Sequence, residues 1–205
     1  MAAERRETNR LEAFSDGVIA IAITLLVLEL QAPDLPEASP AALWRALGDL
    51  WPAYVGYVIS FATIGIMWAN HRAIFELIDR VDHELVLTNL LLLFCIGVLP
   101  FPTSLVAAYL GRPAEGTAVL VYSGWFLLTA IAYNLTWRAA ARGRRLIDPA
   151  ANPAAVAAID RRFRIGPPAY ALAFVVAFVS PEASLAVLFL LALTYVLPYG
   201  RRREA

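Results

Sequence analysis

The stretch RLEAFSDGVIAIAITLLVLEL, residues 10–30, decides how this chain folds. Every residue from Gly17 to Leu28 is apolar or small except Thr24. Asn9 and Glu12 have the spacing of a capping box, which predicts that the helix begins at Asn9. A helix that continues from there to the end of the stretch rises about 33 Å, enough to cross a bilayer core of about 30 Å.

The composition predicts that the rest of the chain also lies in a membrane. Of the 205 residues 60% are hydrophobic, and the mean hydropathy is +0.63, whereas a soluble domain is about 45–50% apolar. The zero net charge argues against nucleic acid as a partner. One cysteine, Cys95, forms no internal disulfide, and two histidines with one thiol complete no known catalytic or metal-binding motif. We therefore expect neither an enzyme nor a bound metal or cofactor.

Hydropathy along the chain predicts an all-α fold in which residues 1–205 form a single transmembrane domain of six spans. The Pro-containing stretch 31–49 is predicted as a loop, and the polar stretch 138–164 as the one sizeable extramembrane segment. The six spans are predicted at about 10–30, 52–75, 85–110, 117–138, 165–179 and 183–199.

The arginines predict the orientation of these spans. All 17 basic residues are arginine, and with six spans only Arg45 and Arg112 fall on the opposite side from the rest. Cytoplasmic loops of membrane proteins are enriched in basic residues, so both termini are predicted to be cytoplasmic. An odd number of spans would destroy this agreement, which independently favours six.

Polar side chains near the cytoplasmic ends of the first three segments share one depth. A carboxylate at the centre of a span costs about 2.5–3.5 kcal/mol and less near an end, so such groups need a reason. We favour a structural network that locks the first helix against the second and third, with a proton relay as the alternative. The residues that could converge in this layer are Arg10, Ser15, Asp16, Asn70, His71 and Asn89.

Helical phase divides the first segment into two faces. At 100° per residue one stripe consists of Phe14, Gly17, Ile21, Thr24, Leu25 and Leu28. The opposite side carries Glu12, Asp16, Ile19 and Ile23. If Asp16 points to its own subunit, the stripe points away from it, toward either lipid or another subunit, and periodicity alone leaves both open.

The polar residues at the start of this segment, residues 10–16, resemble the signature of a known family. Arg10-x-x-x-Phe14-Ser15-Asp16, followed by GVIAIAIT, is similar to the signature of the transmembrane protein 175 family of potassium channels in its prokaryotic six-helix form. In the second segment Trp68-x-x-His71-x-x-x-Phe75 is similar to that family's second-helix pattern, and Asn89 followed by PFPT at 100–103 resembles its third helix.

The resemblance implies a homotetramer in a bacterial plasma membrane, in which the first helix of each subunit lines a central pore for monovalent cations, chiefly potassium. It implies an apolar constriction at Ile21, further apolar rings at Leu25 and Leu28, and a selectivity layer at Thr24. It also implies that Phe14, Ser15 and Asp16, at the start of the helix, have a structural role and hold the helix in place. The full predicted network comprises Arg10, Phe14, Ser15, Asp16, Trp68, Asn70, His71 and Asn89.

A pore of this kind would work without a carbonyl filter. No stretch resembles Thr-Val-Gly-Tyr-Gly, and helical carbonyls are already hydrogen-bonded, so side-chain rings would have to gate by dewetting and select modestly for potassium. The alternative is a secondary transporter or proton-coupled protein that uses the layer of Asp16 and His71. It predicts internal repeats with paired broken helices, whereas Pro100 and Pro102 interrupt the third segment without a matching partner.

Overall fold

The computed structural model describes residues 2–36 and 39–196, and its regular elements are helical. Four stretches within these ranges are long and apolar enough to cross a membrane: Arg6–Leu28, Ala53–Phe75, His83–Tyr109 and Glu115–Arg144. They match the first four predicted spans. The α-helices are α1 (Ala2–Leu25), α2 (Pro40–Asp49), α3 (Trp51–Phe75), α4 (His83–Val98), α5 (Pro100–Tyr109), α6 (Glu115–Ala141), α7 (Pro153–Ala177) and α8 (Pro181–Val196).

Helix α1 begins earlier than the sequence indicates. It starts at Ala2, so Asn9 lies two turns inside the helix and the predicted capping box is wrong. The residues before Asn9, AAERRET, contain neither glycine nor proline and are mostly good helix formers, so nothing stops the helix there. At its other end the helix tightens into a 3-10 turn over Leu26–Glu29.

The predicted loop 31–49 contains helix α2. Ser39 caps this helix by accepting a hydrogen bond from the Ala42 N–H at 3.2 Å, and Pro40 occupies its first turn, where a missing N–H is harmless. The proline-rich composition suggested a loop, but these prolines stand before the helix and at its start rather than inside it. Helix α2 therefore corrects the sequence-based prediction.

The third predicted span consists of two helices in series. Asp82 caps α4 by accepting from the Leu85 N–H at 2.8 Å, and α5 resumes at Pro100 after the single residue Leu99. A proline lacks the N–H that would continue the α-helical ladder, so the break falls where the sequence predicts it. The two pieces together run from His83 to Tyr109.

Helices α6 and α7 pack antiparallel, and polar contacts hold them in register. The side-chain amide of Asn134 donates to the Phe163 carbonyl at 2.6 Å. That carbonyl would normally accept from residue 167, which is a proline and has no N–H, so Asn134 supplies the missing donor. One turn along, the Trp137 indole N–H lies 3.4 Å from Asp160 Oδ1.

Helix α7 corrects the predicted fifth span. The stretch 138–164 contains the end of α6, which continues to Ala141, and the first turns of α7, which begins at Pro153 and is capped by Asn152. Its position outside the membrane stays a prediction. The alanine-rich residues 153–158 are only mildly apolar, yet they favour a helix, so α7 begins well before residue 165.

Helix α8 returns alongside α7. A Cβ placed on Gly116 would lie 3.8 Å from Cγ of Pro181, so α8 begins close to the start of α6. Near its other end the Thr194 carbonyl lies 3.4 Å from Nη2 of Arg162. Neither α7 nor α8 meets the length and hydropathy criteria for a span in the described residues, so the count of six stays a prediction. Residues 197–199 of the predicted sixth span and the arginines at 201–203 lie outside the described residues.

Three segments meet at one side of the bundle. The Thr8 hydroxyl of α1 donates to the Asp79 carbonyl at 3.0 Å. Ile78 and Ile147 pair as an isolated antiparallel bridge, and the Asp79 N–H donates to the Leu146 carbonyl at 2.9 Å. The beginning of α1, the α3–α4 loop and the α6–α7 loop therefore lie on the same side.

Ion pairs reinforce this junction. Arg145 lies 2.5 Å from Asp82 and 3.0 Å from Glu84, and Arg142 lies 3.4 Å from Glu84. All four side chains keep substantial contact with solvent, so each pair is worth only about 0.2–1 kcal/mol.

Candidate functional site: the first helix and its polar anchor

Helix α1 has one face covered by its own subunit and one face bare. Ser15, Ile19, Ala22 and Leu26 recur every three or four residues and are at most 2% exposed. This is the spacing of a single helical face packed against neighbours. It fixes the rotation of α1 about its own axis.

The bare face carries the stripe that the sequence predicts to point away from the subunit. Ile21 is 61% exposed, Leu25 46%, Leu28 66% and Phe14 53%. A run of large apolar side chains left uncovered along one helix needs lipid or another protein surface as its neighbour. In a single subunit the predicted constriction residues thus form one continuous apolar ridge.

Thr24 lies within this ridge and is also exposed. Its hydroxyl lies 2.9 Å from the carbonyls of both Ala20 and Ile21 in its own helix. A threonine hydroxyl has one proton, so that proton is shared with the backbone. The oxygen remains on the bare face as the polar atom among apolar side chains.

A buried chain of hydrogen bonds joins α1, α3 and α4. The Asn89 side-chain NH2 donates to the Ser15 hydroxyl at 2.9 Å, and the Ser15 hydroxyl donates to the Leu11 carbonyl at 2.8 Å. His71 Nε2 lies 2.9 Å from Asn89 Oδ1. Ser15, His71 and Asn89 have no exposed surface, so each bond is protected from competing water.

This chain assigns the tautomer of His71. Because the Asn89 amide nitrogen is used toward Ser15, its oxygen accepts, and His71 Nε2 must carry a proton. His71 Nδ1 is buried without a hydrogen-bond partner among the described residues, and the ring stacks on Phe75 with centroids 4.3 Å apart.

A second polar contact fixes the neighbouring residue of α1. The Trp68 indole N–H donates to Asp16 Oδ1 at 2.9 Å, which joins α1 to α3 a second time. We call Ser15, Asp16, Trp68, His71 and Asn89 the polar anchor. Such bonds between membrane helices contribute roughly 0.6–2 kcal/mol each.

Three other residues of the predicted network do not join the polar anchor. The Asn70 side chain donates to the Ile66 carbonyl of its own helix at 2.9 Å, and Arg10 and Phe14 are exposed on α1. Among the described residues no cluster of three or more His, Cys, Asp or Glu side chains could hold a metal ion.

Sequence reasoning missed a further contact of α1, the Thr8 bond to the Asp79 carbonyl described above. Thr8 is 3% exposed and sits in a polar stretch that has no apolar periodicity to mark one side as covered. Nothing in the sequence signals this contact.

Several long apolar helices held together by buried polar bonds define an integral membrane protein of the helical-bundle class. Comparison with known proteins identifies its family. Residues 10–100 match the family described as "Endosomal/lysosomal potassium channel TMEM175". A protein of Chamaesiphon minutus named as a potassium channel is 45% identical over 96% of this chain and 97% of its own length. Another of that name, from Streptomyces collinus, is 44% identical over 92% of this chain and 91% of its own length.

A solved structure has the same fold. The crystal structure of a lysosomal potassium-selective channel TMEM175 homolog from Chamaesiphon minutus superposes with a TM-score of 0.83 at 43% identity, covering 94% of this chain and 97% of that one. The chain belongs to the TMEM175 family, as the sequence predicts. It is therefore a multi-pass membrane protein of an ion-channel family and not an enzyme.

Proposed function

We propose that this protein is a potassium channel whose pore is lined by α1 from four copies of the chain. The observation that carries the proposal is the bare ridge of α1, in which Thr24 lies between large apolar side chains while the opposite face is fixed by the polar anchor. Relatives that match nearly the whole chain are named as potassium channels. They are not named as transporters, so the transporter alternative gains nothing from them.

The ridge accounts for gating. Ile21 and Leu25 are four residues apart, so their rings would lie about 6 Å apart along a pore parallel to the helix. Leu28 extends the apolar section by roughly another turn. Water drains from narrow apolar sections of this kind, and a dry section blocks ions. Small movements of α1 that widen the rings would let water and ions return.

Thr24 is the candidate for selectivity. Four copies would place a ring of hydroxyl oxygens within the apolar section, where they could replace part of an ion's hydration shell. The backbone carbonyls of α1 are held in helical hydrogen bonds and cannot form a cage. Discrimination between potassium and sodium would therefore be modest.

The junction of Thr8 with the two loops supports an orientation with both termini in the cytoplasm. The start of α1, the α3–α4 loop and the arginine-rich α6–α7 loop lie on one side, which the positive-inside rule makes cytoplasmic. Helix α7 leaves from that side, and α8 returns toward it, from near Gly116 to near Arg162. Six crossings with both termini in the cytoplasm, in a bacterial plasma membrane, fit these contacts.

The test compares two equally exposed isoleucines. Ile21 and Ile165 are both 61% exposed, the first on the ridge of α1 and the second on α7. In liposomes loaded with potassium chloride, we expect Ile21→Ala to raise potassium efflux about tenfold, equivalent to about 1.4 kcal/mol on the barrier. Ile165→Ala should leave efflux at the wild-type value.

Selectivity is tested in the same assay with Thr24→Val, which keeps the shape of the side chain and removes the hydroxyl. The ratio of potassium to sodium efflux should fall toward one. If Ile21→Ala and Ile165→Ala give the same efflux, or if Thr24→Val keeps the ratio, α1 does not line the pore as proposed.

A further inference from the structure

A cavity of about 370 Å³ lies between α3, α5, α6 and α8, beside the half of α3 that precedes the polar anchor. Its walls are almost entirely apolar, and no charged residue lines it. A smaller cavity of about 50 Å³ shares the walls formed by Thr63, Phe126 and Ala192. The larger space is well above the roughly 150 Å³ of an apolar cavity that stays dry and admits benzene.

One buried hydroxyl group that lines this cavity, that of Ser60, has no hydrogen-bond partner among the described residues. Ser60 is 1% exposed and its Oγ atom is unpaired. Tyr122 also lines the cavity; it is 7% exposed, and its ring makes an aromatic contact with Phe126. Other buried hydroxyls of the bundle behave differently: Ser123 donates to the Val119 carbonyl at 2.7 Å.

An unpaired buried hydroxyl destabilises a fold by about 1–3 kcal/mol, so that of Ser60 needs an explanation. Trapped water is a poor one, because an ordered water needs two to four polar partners and the walls are apolar. A ligand that brings its own oxygen would satisfy the Ser60 hydroxyl, lie within the same walls as Tyr122, and fill the apolar space at once.

The cavity opens at the outer surface of the subunit. Val55, Ile59 and Phe189 line it and are 46%, 42% and 55% exposed. Ser60 lies seven residues into the span that begins at Ala53, which is about 10 Å along the helix and so within the hydrocarbon layer. A charged group would find no counter-charge at this depth.

We propose that this cavity binds a neutral lipophilic molecule that carries a hydroxyl or carbonyl oxygen and enters from the hydrocarbon layer. Its hydrocarbon part fills the space between α3 and α8, and its oxygen pairs with the hydroxyls of Ser60 and Tyr122. This site is separate from the α1 ridge, so it does not rest on the proposed pore.

The first test needs no ligand. In purified, delipidated protein, Ser60→Ala should leave the melting temperature unchanged or raise it, because the lost hydroxyl had no partner. Ser123→Ala on α6 is the matched control and should lower it, because its hydroxyl is bonded. If Ser60→Ala lowers the melting temperature as much as Ser123→Ala, the Ser60 hydroxyl is already satisfied within the protein and the proposal is wrong.

The second test uses dodecanol bearing a photoactivatable diazirine, with the protein in phosphatidylcholine vesicles. Cross-links should concentrate on the α3 and α6 residues that line the cavity, and excess unlabelled dodecanol should compete. Ser60→Ala and Tyr122→Phe should each raise the concentration of unlabelled dodecanol needed for competition about two- to tenfold, because each removes one neutral hydrogen bond to the ligand. Ala192→Phe should abolish labelling by filling the space, whereas Ser123→Ala should leave labelling unchanged.

Three results would overturn the proposal. Labelling spread evenly over all lipid-facing residues would show partition into the bilayer only. If unlabelled dodecanol competes equally well in Ser60→Ala, Tyr122→Phe and the wild type, the ligand makes no polar contact with these two hydroxyls. Labelling of separated subunits but not of the assembled protein would mean that a second copy of the chain covers the opening.

Discussion

Helices α1 and α6 are both long and apolar, yet their surroundings differ. In an apolar section of 18 residues within the stretch that contains most of α1, 22% of the residues are buried, whereas in the matching section of the stretch that includes α6 the buried share is 50%. Helix α6 packs against its own subunit over about half of its surface, and many of its buried residues are small or carry hydroxyls: Ala118, Ser123, Thr129, Ala130, Ala132, Thr136, Ala139 and Ala140. Hydropathy shows that a helix lies in the membrane, whereas the distribution of small and hydroxyl side chains shows how closely other helices approach it.

One glycine on each helix makes the same contrast. A Cβ at Gly124 of α6 would lie 3.1 Å from Cε2 of Phe174, so a larger residue there would have to displace the Phe174 ring of α7 slightly. A Cβ at Gly17 of α1 would meet nothing within 4 Å. Within one subunit, Gly17 therefore leaves space that no residue of that subunit uses.

The largest effect should come from substituting two adjacent leucines of the first membrane segment. Leu26 is 1% exposed and Leu25 is 46% exposed. Leu26→Ala should lower the subunit's free energy of unfolding by about 2–5 kcal/mol, because it opens a cavity. Leu25→Ala should change it by less than about 0.5 kcal/mol. Denaturant unfolding in detergent, followed by circular dichroism, measures both. Equal losses would mean that the bare face of α1 is covered within the subunit.

An intermediate effect is expected from two asparagines. Asn89→Ala removes the group that pairs with both Ser15 and His71, so it should lower the free energy of unfolding by about 1–3 kcal/mol. Asn70→Ala removes only a bond to the Asn70 side chain's own helix and should cost clearly less. The same unfolding assay separates the two. A larger loss for Asn70→Ala would contradict the assignment of Asn89 as the centre of the polar anchor.

The smallest effect should come from the loops that join these helices. Arg145→Gln removes ion pairs to Asp82 and Glu84, which are partly exposed. The expected loss is about 0.2–1 kcal/mol, and it should shrink as salt is added, because salt screens exposed charges. Unfolding at low and at high sodium chloride measures it. A loss that stays the same at both salt concentrations would mean that these pairs are effectively buried.

The sequence predicts the parts of the fold that depend on local pattern. The first four spans follow from hydropathy, and the covered and bare faces of α1 follow from a 100° repeat. Ser15, His71 and Asn89 are expected at one depth because each is a polar residue near a cytoplasmic helix end. Such local patterns do not predict contacts between residues that are distant in sequence. The bond of Asn134 to a carbonyl freed by Pro167 depends on how α6 meets α7.

Helix boundaries are missed where composition and structure disagree. The start of α1 is polar, α2 follows prolines, and the first turns of α7 are rich in alanine, so each lacks the signal that hydropathy detects. The cavity beside Ser60 is invisible for another reason. A serine in an apolar span has the same appearance in sequence whether its hydroxyl is bonded, as in Ser123, or unpaired, as in Ser60.

The way in which Thr24 uses its only proton has a consequence for the sign of the charge that α1 can accommodate. That proton points back into the helix, so what faces outward is a pair of electron-rich lobes. Around the conduction path that we propose, such oxygens would coordinate sodium or potassium but have no hydrogen to offer to chloride. Preference for positive over negative ions can thus arise at this level without any acidic side chain.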